Sequence, residues 1–566
     1  MRIALLAEGG YPFAAGDGRV WCDRLIRGLA DHEFEVYGLS TGPELDAAGL
    51  VELPPQVRKV RRARLWAEPE DTFSFGRRAR ERFTAAFTEL AAAICADGPA
   101  EDRFSAGLYG LAELAFDQGP GLLPALRSEV PLRILEGACR APGSARLVQG
   151  ARAVDLLAVT EHLAQALRPL SLPWYGPEEL AGADLCHALS GGTAALPGLL
   201  ARHIHGTPLL VTEYGVRLRR HYLAAGPGPD VPARALTAGF ERRLAAQVCA
   251  GADLLTPGNT HARRWQERLG AARERQRTVY PGMEAERFAE AGEAGLPGDE
   301  GAGPEGQTLV WVGRIEPAKD LIGLLHAFAE VRRAEPETRL LLVSQGGSAE
   351  YETHCRALAA QLFPDEAAGA HEVGDNPVSF EEIGGPELPD LAAAYASGEV
   401  LVLSSVVEGF PAGLVEGMFC GRASVSTDVG AVREVIGGTG LVVPPRNPRA
   451  LADACLALLR DPARRSRLGA AARARALELF TVEQNVSAFR GIYFELISHR
   501  RGRRRGTAPR PFDHPAEAAL PGRWAGGRLA RRGGSPRPST PRWSRPAQEP
   551  RDRTPALTRA AAGDPR

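Results

Sequence analysis

Short apolar runs recur along the chain, each closed by a Gly-rich or polar turn and followed by an amphipathic stretch. In the first half they lie at residues 2–7, 36–39, 184–188, 208–212 and 253–256. In the second half they lie at 309–312, 340–344, 378–380, 400–403, 424–427 and 440–443. Runs this short and this rich in apolar residues, 400–403 (VLVL) above all, predict strands buried on both faces, as in a parallel sheet. Between them the period changes to that of a helix. Residues 19–30 place Val20, Trp21, Leu25, Ile26 and Leu29 on one stripe, and the stretch after Asp320 does the same with Leu321, Leu324, Leu325, Phe328 and Val331. Further helices are predicted over 193–205, 236–249, 259–269, 351–362, 412–420, 430–436, 448–459, 462–480 and 483–498. Strand and helix in alternation give an α/β fold with two doubly wound domains. They are placed at residues 1–280 and 281–480, with a last helix at 481–499.

Two stretches interrupt this rhythm. Residues 42–173 show mainly helical pattern, with helices expected at 83–95, 108–116 and 151–167, and suit an acceptor-binding lid or a partner surface. Residues 290–307, rich in Gly, Glu and Ala, read as a linker or surface loop.

Composition sharpens the picture at the carboxyl end. The chain has 566 residues, a net charge of −1 and 44% hydrophobic residues, enough for two or three domains. From residue 500 onward, 17 Arg face 5 acidic residues, a surplus of 12 that leaves residues 1–499 at about −13. This Arg-, Pro- and Gly-rich tail is expected to be disordered. It is either a solvated appendage or an electrostatic attachment to anionic lipid or polymer, and no module for specific nucleic-acid binding accompanies it. The only lysines are Lys59 and Lys319, and neither follows a Gly, so no P-loop is present. The eight cysteines are scattered without a C-x-x-C pair, which suits a reducing cytosol. No secretory signal or membrane-spanning run is expected. The placement expected is cytoplasmic, with a peripheral position at the inner face of the membrane as its variant.

Chemistry concentrates around residues 404–427, SSVVEGFPAGLVEGMFCGRASVST. The run 400–403 ends just before Glu408, a Gly409-Phe410-Pro411 turn follows, and a helix carries Glu416. Ligands of doubly wound sheets bind beyond the carboxyl ends of strands. Glu408 is expected at that edge, and Glu416 one turn inside the helix faces the same crevice. Two carboxylates on a solvated helix face are the plain alternative. Upstream, Gly313-Arg314 and Lys319 follow another strand next to a helix start. Such a cation pair suits a diphosphate leaving group, Arg as a planar fork and Lys as a point charge. Ile383-Gly384 is placed where a base would rest.

These stretches resemble the donor site of retaining glycosyltransferases of family four, which have the GT-B architecture. The resemblance implies that Glu408 contacts the transferred sugar, that Glu416 holds the ribose hydroxyls and that Arg314 and Lys319 stabilise the departing diphosphate. Gly409 and Phe410 are placed with them on the donor side. Pro411 stands where the family has a Gly, which removes one backbone donor. The expected reaction is transfer of a hexosyl unit from a nucleoside diphosphate sugar with retained configuration and without a metal or other cofactor.

The first half carries a weaker signal. Gly16 and Gly18, placed on the donor side, lie in a loop after the first strand, either a tight turn or a place where backbone approaches a diphosphate or an acceptor sugar. The strings EGGYPF, HALSGG, PLLVTEYG and GNTHARRWQ resemble the PelF-like transferases of bacterial exopolysaccharide synthesis. That implies a UDP-sugar donor, a glycan acceptor and membrane-bound polysaccharide synthesis machinery as partners. His187, Glu213 and Tyr214 are placed on the acceptor side, although a core histidine is the alternative for His187. Tyr214 replaces the usual His, and Arg217 stands where an aromatic is common. Two rival functions share the architecture, a nucleotide-sugar epimerase and a catalytically inactive subunit of a synthesis complex.

Overall fold

The computed structural model describes residues 1–14, 18–66, 75–223, 231–294, 307–364, 376–386 and 388–499. Gly16, most of the expected linker and the basic tail lie outside the described residues.

The first sheet contains β1 (Arg2–Glu8), β2 (Glu33–Ser40), β3 (Val57–Arg64), β4 (Leu185–Ala188), β5 (Leu209–Glu213) and β6 (Leu254–Pro257). The second contains β7 (Thr308–Ile315), β8 (Arg339–Gly347), β9 (Val378–Glu382), β10 (Val400–Leu403), β11 (Ala423–Thr427) and β12 (Leu441–Val443). Their orders, β3-β2-β1-β4-β5-β6 and β12-β11-β10-β7-β8-β9, are the same topology. Every pairing within the two sheets is parallel. Each sheet therefore has a point where connections diverge to either side, between β1 and β4 and between β7 and β10. Crevices open there, beyond the carboxyl ends of the strands.

Alternate strand residues feed separate cores, which is why the inner runs are mostly apolar on both faces. Trp311, Leu340, Leu342, Val400, Val402 and Val425 pack on one face of the second sheet. Val310, Val312, Val343, Leu401 and Leu403 pack on the other. The first sheet divides likewise, with Ala4, Leu6, Leu39 and Val211 on one side and Ile3, Leu5, Val36 and Leu210 on the other.

Two expectations about residues 42–173 are corrected. Strand β3 lies inside this stretch, whose pattern predicts helix. Its sequence, VRKVRRAR, carries charge because it is the sheet edge, where charged side chains are tolerated and deter further pairing. Lys59 and Arg61 reach Glu179 at 2.9 and 2.7 Å, and Arg64 reaches Asp46 at 2.9 Å. The helices Arg77–Cys95, Glu101–Gln118, Glu129–Arg140 and Ala153–Leu167 are not a separate lid. Phe83, Phe87, Leu90, Leu108, Leu111, Leu135 and Leu163 share one core with the sheet. Gly107 permits the close crossing, since a Cβ there would stand 2.6 Å from the Leu90 amide nitrogen.

The chain passes between the two sheets twice. Met283 N–H donates to the Phe480 carbonyl at 2.8 Å, and Val482 N–H donates to the Met283 carbonyl at 3.2 Å, so the two crossings run side by side. The last helix, Val482–Ser498, then buries Val486, Phe489, Ile492 and Tyr493 against Ile3, Leu5 and Leu210 of the first sheet. Among the described residues no helix is long and apolar enough to cross a membrane.

Candidate functional site

The connections leaving β7 and β10 are tied to each other. Ser404 Oγ donates to the Lys319 carbonyl at 2.7 Å, and Val406 N–H donates to the Ala318 carbonyl at 2.9 Å. Asp320, in the left-handed region at φ 50°, caps the helix Leu321–Ala334 by accepting from the Gly323 amide at 3.1 Å. This turn lifts Lys319 towards the β10 loop. Its Nζ meets Glu408 Oε2 at 2.7 Å, with only 22% and 13% of the two side chains exposed. Ser405 Oγ donates to the same carboxylate oxygen at 3.2 Å. Behind it, Gly430 at φ 57° lets the chain press against the Glu408 carbonyl, where a Cβ would come within 2.5 Å. Lys319 and Glu408 are thus a fixed pair at the second sheet's divergence point. An ammonium has three donors, and the Glu408 contact uses one of them.

The other expected donor-side residues each have partners of their own. Arg314 ends β7 but is largely exposed, and its Nε pairs with Glu316 at 3.1 Å. Gly409 donates weakly to its neighbouring carboxylate, at 3.4 Å. Phe410 packs edge-on against Phe480, 5.8 Å between centroids, at the second chain crossing. Glu416 lies on the helix Ala412–Phe419 and accepts from the Tyr395 hydroxyl at 2.8 Å. Burial raises its pKa, opposed by the Tyr395 hydrogen bond and by the charge of Arg287. Arg287 also lines a cleft of about 610 Å³ beyond the ends of β8 and β9, with Ser344, Gln345, Glu382, Ile383 and Asp390. The residue placed against a base, Ile383, faces this cleft.

The first sheet has its own cavity, about 420 Å³, at the divergence of β1 and β4. Gly18, Trp21, Thr212 and Tyr214 line it, together with Glu8, Arg217 and Arg220. Gly18 sits at φ 77°, and a Cβ there would meet no atom within 4 Å, so its backbone is open to the cavity. Arg217 Nη1 holds Glu8 at 2.6 Å, and its Nε and Nη2 hold both oxygens of Glu241 at 3.0 and 3.2 Å. Burial opposes ionisation of Glu241, but His162 and Arg217 outweigh it and hold the carboxyl at about 2. Sequence reasoning singles out neither Glu8 nor Glu241. The signal available for Glu8 is a carboxylate closing a strand that is apolar from Ile3 to Ala7.

The acceptor-side expectation for His187 is corrected. It is fully buried, with Nδ1 2.7 Å from the Tyr493 hydroxyl and Nε2 2.6 Å from Thr212 Oγ1. The rings of Trp21, Phe489 and Tyr493 surround it, and burial lowers its pKa to about 3. It is a neutral core histidine that joins the last helix to the first sheet. Glu213 is also buried behind the cavity wall. It accepts from Gln266 Nε2 at 3.2 Å and from the Arg217 amide at 3.3 Å, and burial raises its pKa. Of the three acceptor-side residues, Tyr214 alone lines the cavity.

Residues 1–274 match a family model described as a domain of unknown function, DUF3492, and residues 306–461 match one described as "Glycosyl transferases group 1". Among curated relatives, a D-inositol 3-phosphate glycosyltransferase of Frankia alni is 31% identical over 283 residues, covering 48% of this chain and 64% of the relative. Its counterpart from Saccharomonospora viridis is 30% identical over 332 residues, covering 56% of this chain and 72% of the relative. The chain therefore spans somewhat under two thirds of the Frankia relative's length. Among solved structures, a sucrose-phosphate synthase from Thermosynechococcus elongatus aligns with a TM-score of 0.51 at 19% identity, covering 88% of this chain and 99% of that one. This similarity matches the two-sheet GT-B architecture.

Proposed function

The chain belongs to the group 1 glycosyl transferases, and from that premise we propose that it transfers a hexosyl unit from a nucleoside diphosphate sugar to a glycan acceptor with retained anomeric configuration. The observation that carries this reading is the Lys319–Glu408 pair, held at 2.7 Å between the loops after β7 and β10. A developing diphosphate needs fixed positive charge, and a cation held in place before the reaction requires no reorganisation. Lys319 supplies it, and Arg314 joins it by exchanging Glu316 for phosphate oxygens. Glu408 positions Lys319 and contacts the sugar, while Glu416 accepts from the ribose hydroxyls. The bond from the anomeric carbon to the diphosphate breaks as the acceptor oxygen attacks from the same face. The acceptor proton passes to the leaving phosphate oxygen, so the charge balance closes without a metal. The acceptor enters from the cavity lined by Tyr214 and Gly18. UDP as the nucleotide and exopolysaccharide assembly as the setting follow from the PelF-like resemblance.

The test is incubation with a panel of nucleoside diphosphate sugars, with and without glycan acceptors, read by nucleotide release and product analysis. Acceptor-dependent release with a retained linkage is expected. A new nucleotide sugar formed without an acceptor would replace this reading with epimerisation, and no turnover on any donor would leave a binding subunit.

A further inference from the structure

The run Arg217, Arg219, Arg220, His221 lies on the short helix Arg217–Leu223, which packs on the helix Thr260–Arg268. Val216, Leu218 and Ala262, with Trp265 and Leu269 against them, form a small apolar cluster apart from the main cores. This cluster binds the two helices together, and their remaining faces carry a distinct composition. Arg219 lies three and four residues before Tyr222 and Leu223, so the three share one helical face. Arg264 and Arg268 share a face of the second helix by the same spacing. The apolar cluster holds the two helices, and with them the two stripes, side by side. Tyr222 and Leu223 are 52% and 49% exposed. His221 contacts the Arg234 carbonyl at 3.4 Å, and the helix containing Arg234 begins with Val231, itself 61% exposed. None of Arg219, Arg264 and Arg268 has a carboxylate partner among the described residues.

We propose that this two-helix face docks on an anionic lipid surface. Cations left without acidic partners next to exposed aromatic and aliphatic side chains match the two parts of such a surface. The charges meet lipid phosphates, and Tyr222 and Leu223 enter the headgroup boundary. A soluble polyanion would use the cations but would leave the apolar residues in water. Arg217 and Arg220, on the same helix, line the first-domain cavity. Docking at this face does not depend on the sugar donor.

The full-length chain is sedimented with vesicles of phosphatidylcholine alone and of phosphatidylcholine mixed with phosphatidylglycerol. Binding to the mixed vesicles only, lost with added salt, is expected. The triple variant Arg219→Gln, Arg264→Gln, Arg268→Gln should bind them about tenfold more weakly or worse. The exposed pair Tyr222→Ser, Leu223→Ser should also weaken binding, and it decides the matter if the triple variant does not fold. Wild-type binding in a folded triple variant, or in the exposed pair, would assign attachment to another part of the chain and overturn the proposal. Retention on heparin without vesicle binding would identify the face as a polyanion site and overturn it as well.

Discussion

Asn485 of the last helix donates to the phenol oxygen of Tyr214 at 3.0 Å and to the backbone carbonyl of Tyr280 at 2.6 Å, while its own carbonyl oxygen accepts from Trp21 Nε1 at 3.1 Å. One nearly buried amide therefore joins the first chain crossing, the returning helix and two walls of the first-domain cavity. Replacing it with Leu strands the Trp21 N–H and the Tyr280 carbonyl, at about 1–3 kcal/mol for each such group left buried and unsatisfied. Asn485→Leu should lower the denaturation midpoint clearly, and Asn485→Ala should do so less where water can enter. An unchanged urea midpoint in both would show that the bridge carries no stability.

Lys319→Ala and Glu408→Ala are each expected to lower kcat/KM by about 10²–10³, the loss typical of removing one preorganised charge contact. Because Glu408 positions Lys319 as well as contacting the sugar, the loss in the double variant should fall short of the sum of the two single losses. Steady-state kinetics on the donor identified by the panel, with near-ultraviolet circular dichroism as a fold control, measures this. Additive losses would mean that the two residues work independently.

Arg217, itself 32% exposed, bridges the nearly buried carboxylates of Glu8 and Glu241, and leaving them unpaired costs up to about 3–5 kcal/mol. Arg217→Met should therefore be strongly destabilised at neutral pH. Glu241, held at about 2 by His162 and Arg217 against the effect of burial, would then rise. Protonating it relieves the unpaired charge, so the gap to wild type should narrow as pH falls. Arg217→Lys should rescue only in part, since a point charge cannot span both Glu241 oxygens. Chemical denaturation at a series of pH values follows both effects, and a gap independent of pH would contradict the charge account.

His187 gives a prediction of known sign. Its folded pKa is lowered to about 3 by burial, below the ordinary 6.5. The unfolded chain therefore binds the extra proton first as pH falls. The stability contributed by neutral His187 is complete above about 6.5 and is lost progressively down to about 3. Relative to His187→Gln, the wild type should lose stability over that window, by at most about 1.4 kcal/mol per pH unit. Matching pH dependence in the two proteins would show that the ring titrates normally.

Local pattern was enough to dictate the strands of the two sheets apart from β3, because residues buried on both faces are mostly apolar, and such runs are visible in the sequence. Strand β10 appeared with both of its ends, and the helix 448–459 did too. The elements bearing Lys319 and Glu408 were legible for the same reason, each lying just past an apolar run. Strand β3 was not legible, since an edge strand needs only one neighbour and its basic residues hid the pattern. Which side chains meet was settled only by long-range packing. Lys319 and Glu408 lie 89 residues apart, Arg217 and Glu8 lie 209 apart, and His187 and Tyr493 lie 306 apart. No local period encodes such distances. The packing of the last helix on the first sheet turned His187 from an edge residue into a core one, and the fold of the chain around Arg217 paired two carboxylates that lie far from each other in the sequence.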